Sequence, residues 1–173
     1  GKPTDNYGEL YVDGTALGAF ATTMDQGGWQ VHAHAIGDAA VRAALDGYET
    51  ALRANGPRGN RHTIAHLQLV HPADYGRFAA LDVVPDMQLQ WATRNVWTMD
   101  ALLPFIGPKR HARLYPAHSM VRAGARIAGG SDWPITPLYP WNQVQTAIDR
   151  HGLYGDGRPL HRREGITRAD SLR

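Results

Sequence analysis

The chain has no cysteine, so disulfides and thiolate metal sites are excluded and the redox compartment is left open. It has no apolar run approaching the roughly 20 residues that a membrane span needs. Its first residues, GKPTDNYGEL, lack the apolar core of a signal peptide, which makes a cytoplasmic protein the expectation. Charge of one sign is also lacking. Eighteen Lys and Arg face 16 Asp and Glu, for a formal net charge of +2, and the one modest basic cluster is Arg162-Arg163. Nucleic acid is therefore not an expected partner, because its phosphates call for a concentrated basic stripe with aromatic platforms. No Gly-rich phosphate-binding fingerprint follows the first expected strand, which argues against a dinucleotide fold. There is no solenoid repeat and no low-complexity tract.

What is present suits one globular domain with one core: 173 residues, 43% hydrophobic and 20% charged. The ends are odd for a whole domain, however. The chain starts without Met, in a turn-like Gly-Lys-Pro-Thr-Asp-Asn stretch. It stops at GITRADSLR, where Thr167 and Asp170 have capping-box spacing. A helix of one turn does not offset its own nucleation cost, so the expectation is a fragment of a longer chain.

Helix-period and strand-period stretches alternate four times. Asp13 is placed to cap a helix whose Leu17, Phe20, Ala21 and Met24 form one apolar stripe, stopped by Gly27-Gly28. Residues 29–35 read as a strand with Gln30, His32 and His34 on one face. Residues 38–55 read as a helix burying Val41, Ala44, Leu45, Tyr48 and Leu52, ended by Gly56-Pro57, with Asp38 as its cap. The second strand, HTIAHLQLV, places His62, Ile64, His66 and Gln68 on one face. A short helix through Phe78 and Leu81 leads to a third strand at 83–90. Residues 91–117, rich in Trp and Pro, read as a long loop carrying one helix. A short helix at Ser119–Ala123 then precedes ARIAGGSD, the fourth strand. Such alternation with right-handed crossovers gives an α/β fold with a parallel sheet covered by helices.

The polar residues collect at the C-terminal ends of these strands: His34, His66, Gln88 and Asp132. A closed barrel of parallel strands aims those ends at one mouth, where barrel enzymes keep their chemistry. The first two intervals each suit one strand–helix unit, and the third suits a unit with an enlarged loop. Two imidazoles and a carboxylate converging there suit a borderline divalent metal such as zinc. Taken singly, each residue has a plainer role. A strand-end His is more often a hydrogen-bonded structural residue, and Asp132 can cap the turn before Pro134. The coincidence of three metal-type residues at three strand ends shifts the balance.

Taken together, VHAHAIGDAAV, RHTIAHLQLV, the Gln-bearing strand, YPAHSMVRAGARIAGGSDWPITP and ITRADSLR resemble the amidohydrolase superfamily. The resemblance is to the family 3 branch that includes N-substituted formamide deformylase, and it covers nearly the whole chain. It implies a partial (β/α)8 TIM barrel in which residues 1–173 form one domain, the C-terminal half with strands five to eight. On that resemblance the upstream half of the barrel and a small β-sandwich are expected to lie outside these residues. It further implies that His34 and His66 are the strand-five and strand-six metal ligands. Asp132 becomes the strand-eight aspartate that binds metal and moves protons. The family's strand-one His-x-His pair and strand-four bridging lysine would lie upstream of Gly1, and nothing here replaces them. His32-Ala33-His34 mimics the strand-one pair but is followed by Gly-Asp and a helix in the strand-five manner. His32 lies about 6.6 Å deeper along the strand than His34 and reads as a barrel-interior residue.

The expected activity is hydrolysis of a C–N bond, an amide or formamide, by water activated on one or two divalent ions, with zinc the expected metal. Asp132 serves as general base and then general acid. Gln88 and Trp133 are candidate substrate-facing residues, although Gln88 also suits a core hydrogen-bonding amide. The 91–116 loop is the candidate for substrate choice. The expected partner is a small-molecule amide, with no nucleic acid and no membrane. The open strand edges point to homo-oligomerisation or aggregation of the piece alone. Two rivals stand beside this reading: a half-barrel that binds metal or a partner without turnover, and the same metal chemistry on a cyclic amide or a phosphoester.

Overall fold

A computed structural model describes residues 5–172. Its frame is a four-stranded parallel sheet in sequential order, β1 (His32–Ala35), β2 (Thr63–His66), β3 (Val84–Met87) and β4 (Ala128–Gly129). This is the expected α/β alternation, with each strand shorter than its sequence pattern. Gln30 falls outside β1 and donates to the Arg61 carbonyl instead. β2 stops where His66 (φ 79°) and Leu67 (φ 55°) turn left-handed. The chain after β3 tightens into a helical turn at Leu89–Trp91.

Helix α1 (Gly14–Gln26) is capped as expected, with the Asp13 carboxylate accepting from Ala16 N at 2.8 Å. Its buried face differs from the expected stripe: Gly18, Ala21 and Asp25 are buried, and Phe20 is exposed. The reason is close packing on α2 (Asp38–Asn55). A Cβ at Gly47 would stand 3.0 Å from Leu17 Cγ and 3.2 Å from Gly18 N, so glycine there lets the two helices touch. That contact turns Gly18, rather than Phe20, inward. α2 buries Val41, Ala44, Leu45, Tyr48 and Ala51 against the sheet, and Leu52 only in part. Each large side chain removed from water contributes about 1.5–3 kcal/mol. Gly56, at φ 71°, ends the helix. Asp38 does not cap α2; Gly37 holds that position, and the Asp38 carboxylate pairs with Arg110 at 2.9 Å.

The second strand's expected single face is also corrected. Ile64 packs into the core, whereas His62 lies below the strand, stacked on Tyr48 and 3.3 Å from Asp25. Gln68 lies beyond the strand and donates to the Tyr115 hydroxyl at 2.7 Å. After α3 (Tyr75–Ala80) and β3, the 91–117 segment holds more helix than expected. A π-helical turn at Val96–Leu102, capped by Asn95, runs into α4 (Leu103–His111), which breaks at Gly107. α5 (Ala117–Arg122) precedes β4, and α6 (Pro140–Asp149), absent from the expected elements, follows it. The Thr167–Asp170 cap is present and opens α7 (Arg168–Ser171). Fully buried Arg150 ties this end together by donating to the carbonyls of Leu114, Tyr115 and Leu160. Among the described residues, β1 and β4 each have one unpaired edge, and no helix is long and apolar enough to cross a membrane.

Candidate functional site

Register explains which side chains can meet. His34 pairs with Ala65, Ala65 with Asp86, and Asp86 with Ala128, so these four form one row across the sheet. Residues paired across a parallel ladder share a face. The helix-covered face carries Ala35, Ile64 and Met87, all in the core. The row therefore faces the other way, and its small members, Ala65 and Ala128, leave space above them for the longer ones.

His66 is paired with Ala35 and by register belongs with the helix-covered face. Its left-handed backbone breaks that alternation. Its Nε2 lies 2.7 Å from His34 Nδ1, and the two rings are 4.9 Å apart. A non-glycine residue held at φ 79° costs about 1–3 kcal/mol, and Leu67, fully buried at φ 55°, shares the turn. Strain of this kind collects where a side chain must be aimed.

Gln88, only 3% exposed, places Oε1 2.9 Å from His66 Nδ1. A carbonyl oxygen accepts only, so His66 Nδ1 carries the proton and Nε2 presents its lone pair toward His34. Trp91 stacks on the His66 ring at 5.9 Å. His32 meets His34 edge-on at 5.3 Å. Gln88 thus holds the His66 ring from a buried position.

Asp132 follows β4 at φ 54°, and its carbonyl accepts from Ile135 N at 2.8 Å. The Trp133–Pro134 peptide after it is cis. Trp133 itself is 67% exposed. Gln90 braces this turn by donating to the Ser131 carbonyl at 3.1 Å. Beside the site, Trp91, Trp97, Asn95, Ile135 and Tyr154 line a cleft of about 700 Å³, formed largely by the loop expected to govern substrate choice.

Asp86, two residues before Gln88, is not among the residues that the strand-end pattern singles out. Burial pushes its carboxyl above the usual range and Asp132 pushes the same way, while His32, His66 and His34 pull it down. Its Oδ1 is buried with no hydrogen-bond partner among the described residues. The available signal was an acid inside an otherwise apolar strand, VVPDM.

The donor set of imidazole nitrogens and carboxylates fits a borderline divalent cation. Among the described residues, no three His, Asp or Glu side chains are already drawn together as a metal-holding group. The structure brings His34 and His66 together, and it puts Asp132 within electrostatic reach of Asp86. Two nitrogens on one tetrahedral zinc stand about 3.3 Å apart. The 2.7 Å pair would therefore open by roughly half an ångström, with the His34 proton moving to Nε2.

The sequence profile of the amidohydrolase family matches residues 4–170. The chain is 34% identical over 147 residues to Protein LONG AFTER FAR-RED 3 of Arabidopsis thaliana, covering 84% of this chain and 25% of the relative. It is 30% identical over 148 residues to N-substituted formamide deformylase of Arthrobacter pascens, covering 81% of this chain and 25% of that protein. The chain thus spans about a quarter of the length of these curated relatives. An uncharacterized metal-dependent hydrolase from Pyrococcus horikoshii shares the fold at 23% identity with a TM-score of 0.74, over 97% of this chain and 32% of that structure.

Proposed function

The chain belongs to the amidohydrolase family, and on that premise we propose that the protein carrying it is a metal-dependent hydrolase of C–N bonds, acting on an amide or formamide. In this reading residues 1–173 supply strands five to eight of a (β/α)8 barrel. His34, His66 and Asp132 hold the metal side of the site, and Trp133 stands at the substrate entrance. The observation that carries the reading is the aimed pair, His34 Nδ1 against His66 Nε2, at the C-terminal ends of adjacent parallel strands.

A divalent cation bound there, zinc by ligand type, lowers the pKa of its water and polarises the substrate carbonyl. The chain's own residues do the rest. Gln88 holds His66 with its Nε2 lone pair facing the site. Asp132 accepts the proton of the attacking water as the C–O bond forms. It returns that proton to nitrogen as the C–N bond breaks, leaving a carboxylic acid and an amine. The aromatic cleft beside Trp91 receives the apolar part of the substrate.

In this reading residues 1–173 alone are expected to be inactive, since the upstream strands of the barrel would complete the metal site and the substrate wall, and a misplacement of about 1 Å costs roughly 10²-fold in rate. The test is amine release from a panel of amides and formamides by the intact protein, stripped with chelator and then restored with zinc. Activity lost on stripping and regained on restoration supports the reading. Undiminished turnover in the stripped protein overturns it.

A further inference from the structure

We infer that Asp86, on the third strand, supplies an additional carboxylate oxygen to the cation held by His34 and His66; this rests on the metal-site reading above. Three observations carry it. Asp86 lies in the row of His34, separated from it only by Ala65, so nothing bulky from the strands stands between its carboxylate and the histidines. On its other side Gly130 carries no side chain: the space that a Cβ there would fill lies 3.3 Å from Asp86 Oδ1, which leaves room beside that oxygen. Finally, Oδ1 is buried and accepts from nothing among the described residues. A buried carboxylate oxygen without a donor is costly and rare, and such atoms call for a partner.

The chemistry of that partner follows from the neighbours. The groups whose charges act most on Asp86 are His32, His34, His66 and Asp132, with no Lys or Arg among these. Two carboxylates gathered with imidazoles and without a cationic side chain suit a divalent cation, whose two positive charges balance both. A lone water or a neutral amide donor would leave the carboxylate pair uncompensated.

The test is zinc titration by calorimetry, together with metal content after dialysis, on the intact protein and its Asp86→Asn, Asp86→Ala and His66→Ala variants. Circular dichroism melts check that each is folded. The expected result is a zinc affinity lowered 10-fold or more in both Asp86 variants, with melting unchanged or raised because an unpartnered buried carboxylate has been removed. Wild-type affinity in both Asp86 variants, with binding lost in His66→Ala, overturns this inference and leaves the histidine site standing. No zinc binding by the wild type overturns both.

Discussion

The strand register pairs His66 with Ala35, not with His34, yet Nε2 of His66 lies 2.7 Å from Nδ1 of His34. The left-handed backbone at His66 makes that contact possible, and Gln88 fixes which nitrogen faces it. The site therefore depends on local backbone strain and one buried amide as much as on its two histidines.

Gln88 is the residue whose removal should separate orientation from ligation. Gln88→Leu keeps the volume but takes away the acceptor for His66 Nδ1–H. Loss of such a supporting hydrogen bond typically lowers metal affinity about 10- to 100-fold. Gln88→Glu, which keeps an acceptor there, should bind zinc at least as well as wild type. Equal affinity across all three proteins in a calorimetric titration would remove Gln88 from the account.

The buried guanidinium predicts a stability effect away from the site. Arg150→Met leaves the carbonyls of Leu114 and Leu160 without a donor, while that of Tyr115 keeps the Ala117 N–H. Each orphaned buried acceptor costs about 1–3 kcal/mol, so chemical denaturation should show a loss of about 2 kcal/mol or more. A loss below about 1 kcal/mol would mean that these bonds contribute little.

Stability should also fall on the acid side. Burial, with His111, Arg150 and Arg163 nearby, pushes His161 down to about 4, and burial lowers His62 as well, against the pull of Asp25. Between pH 6.5 and 4 the unfolded chain binds protons that the folded His161 refuses, so this contribution is complete above 6.5 and is lost as pH falls through that window. Melting temperatures measured across it should drop toward acid, and less steeply in His161→Gln. An identical slope in the variant would assign the acid sensitivity elsewhere.

Much of this was legible in the sequence, because periodicity reports which face meets a core. The four strands and helices α1 and α2 follow from apolar spacing, and the Asp13 and Thr167 caps from local chemistry. Backbone conformation was not legible. Nothing in HTIAHLQLV announces that His66 and Leu67 turn left-handed, so simple alternation put Ile64 and His66 on one face. Phe20 misled for a related reason: an apolar residue at helical spacing looks buried until the Gly18–Gly47 contact rotates the helix. Asp86 was hidden because its significance lies in Ala65 and Ala128 on other strands and in Gly130 just past β4.

The central claim, that His34 and His66 jointly hold a divalent cation, is tested most directly by an anomalous difference map at the zinc edge from crystals of the intact protein grown with zinc. The account predicts a peak about 2.0–2.1 Å from both His34 Nδ1 and His66 Nε2, with the two nitrogens farther apart than the 2.7 Å seen here. Zinc bound elsewhere, with this histidine pair still in direct hydrogen-bonding contact, would contradict it.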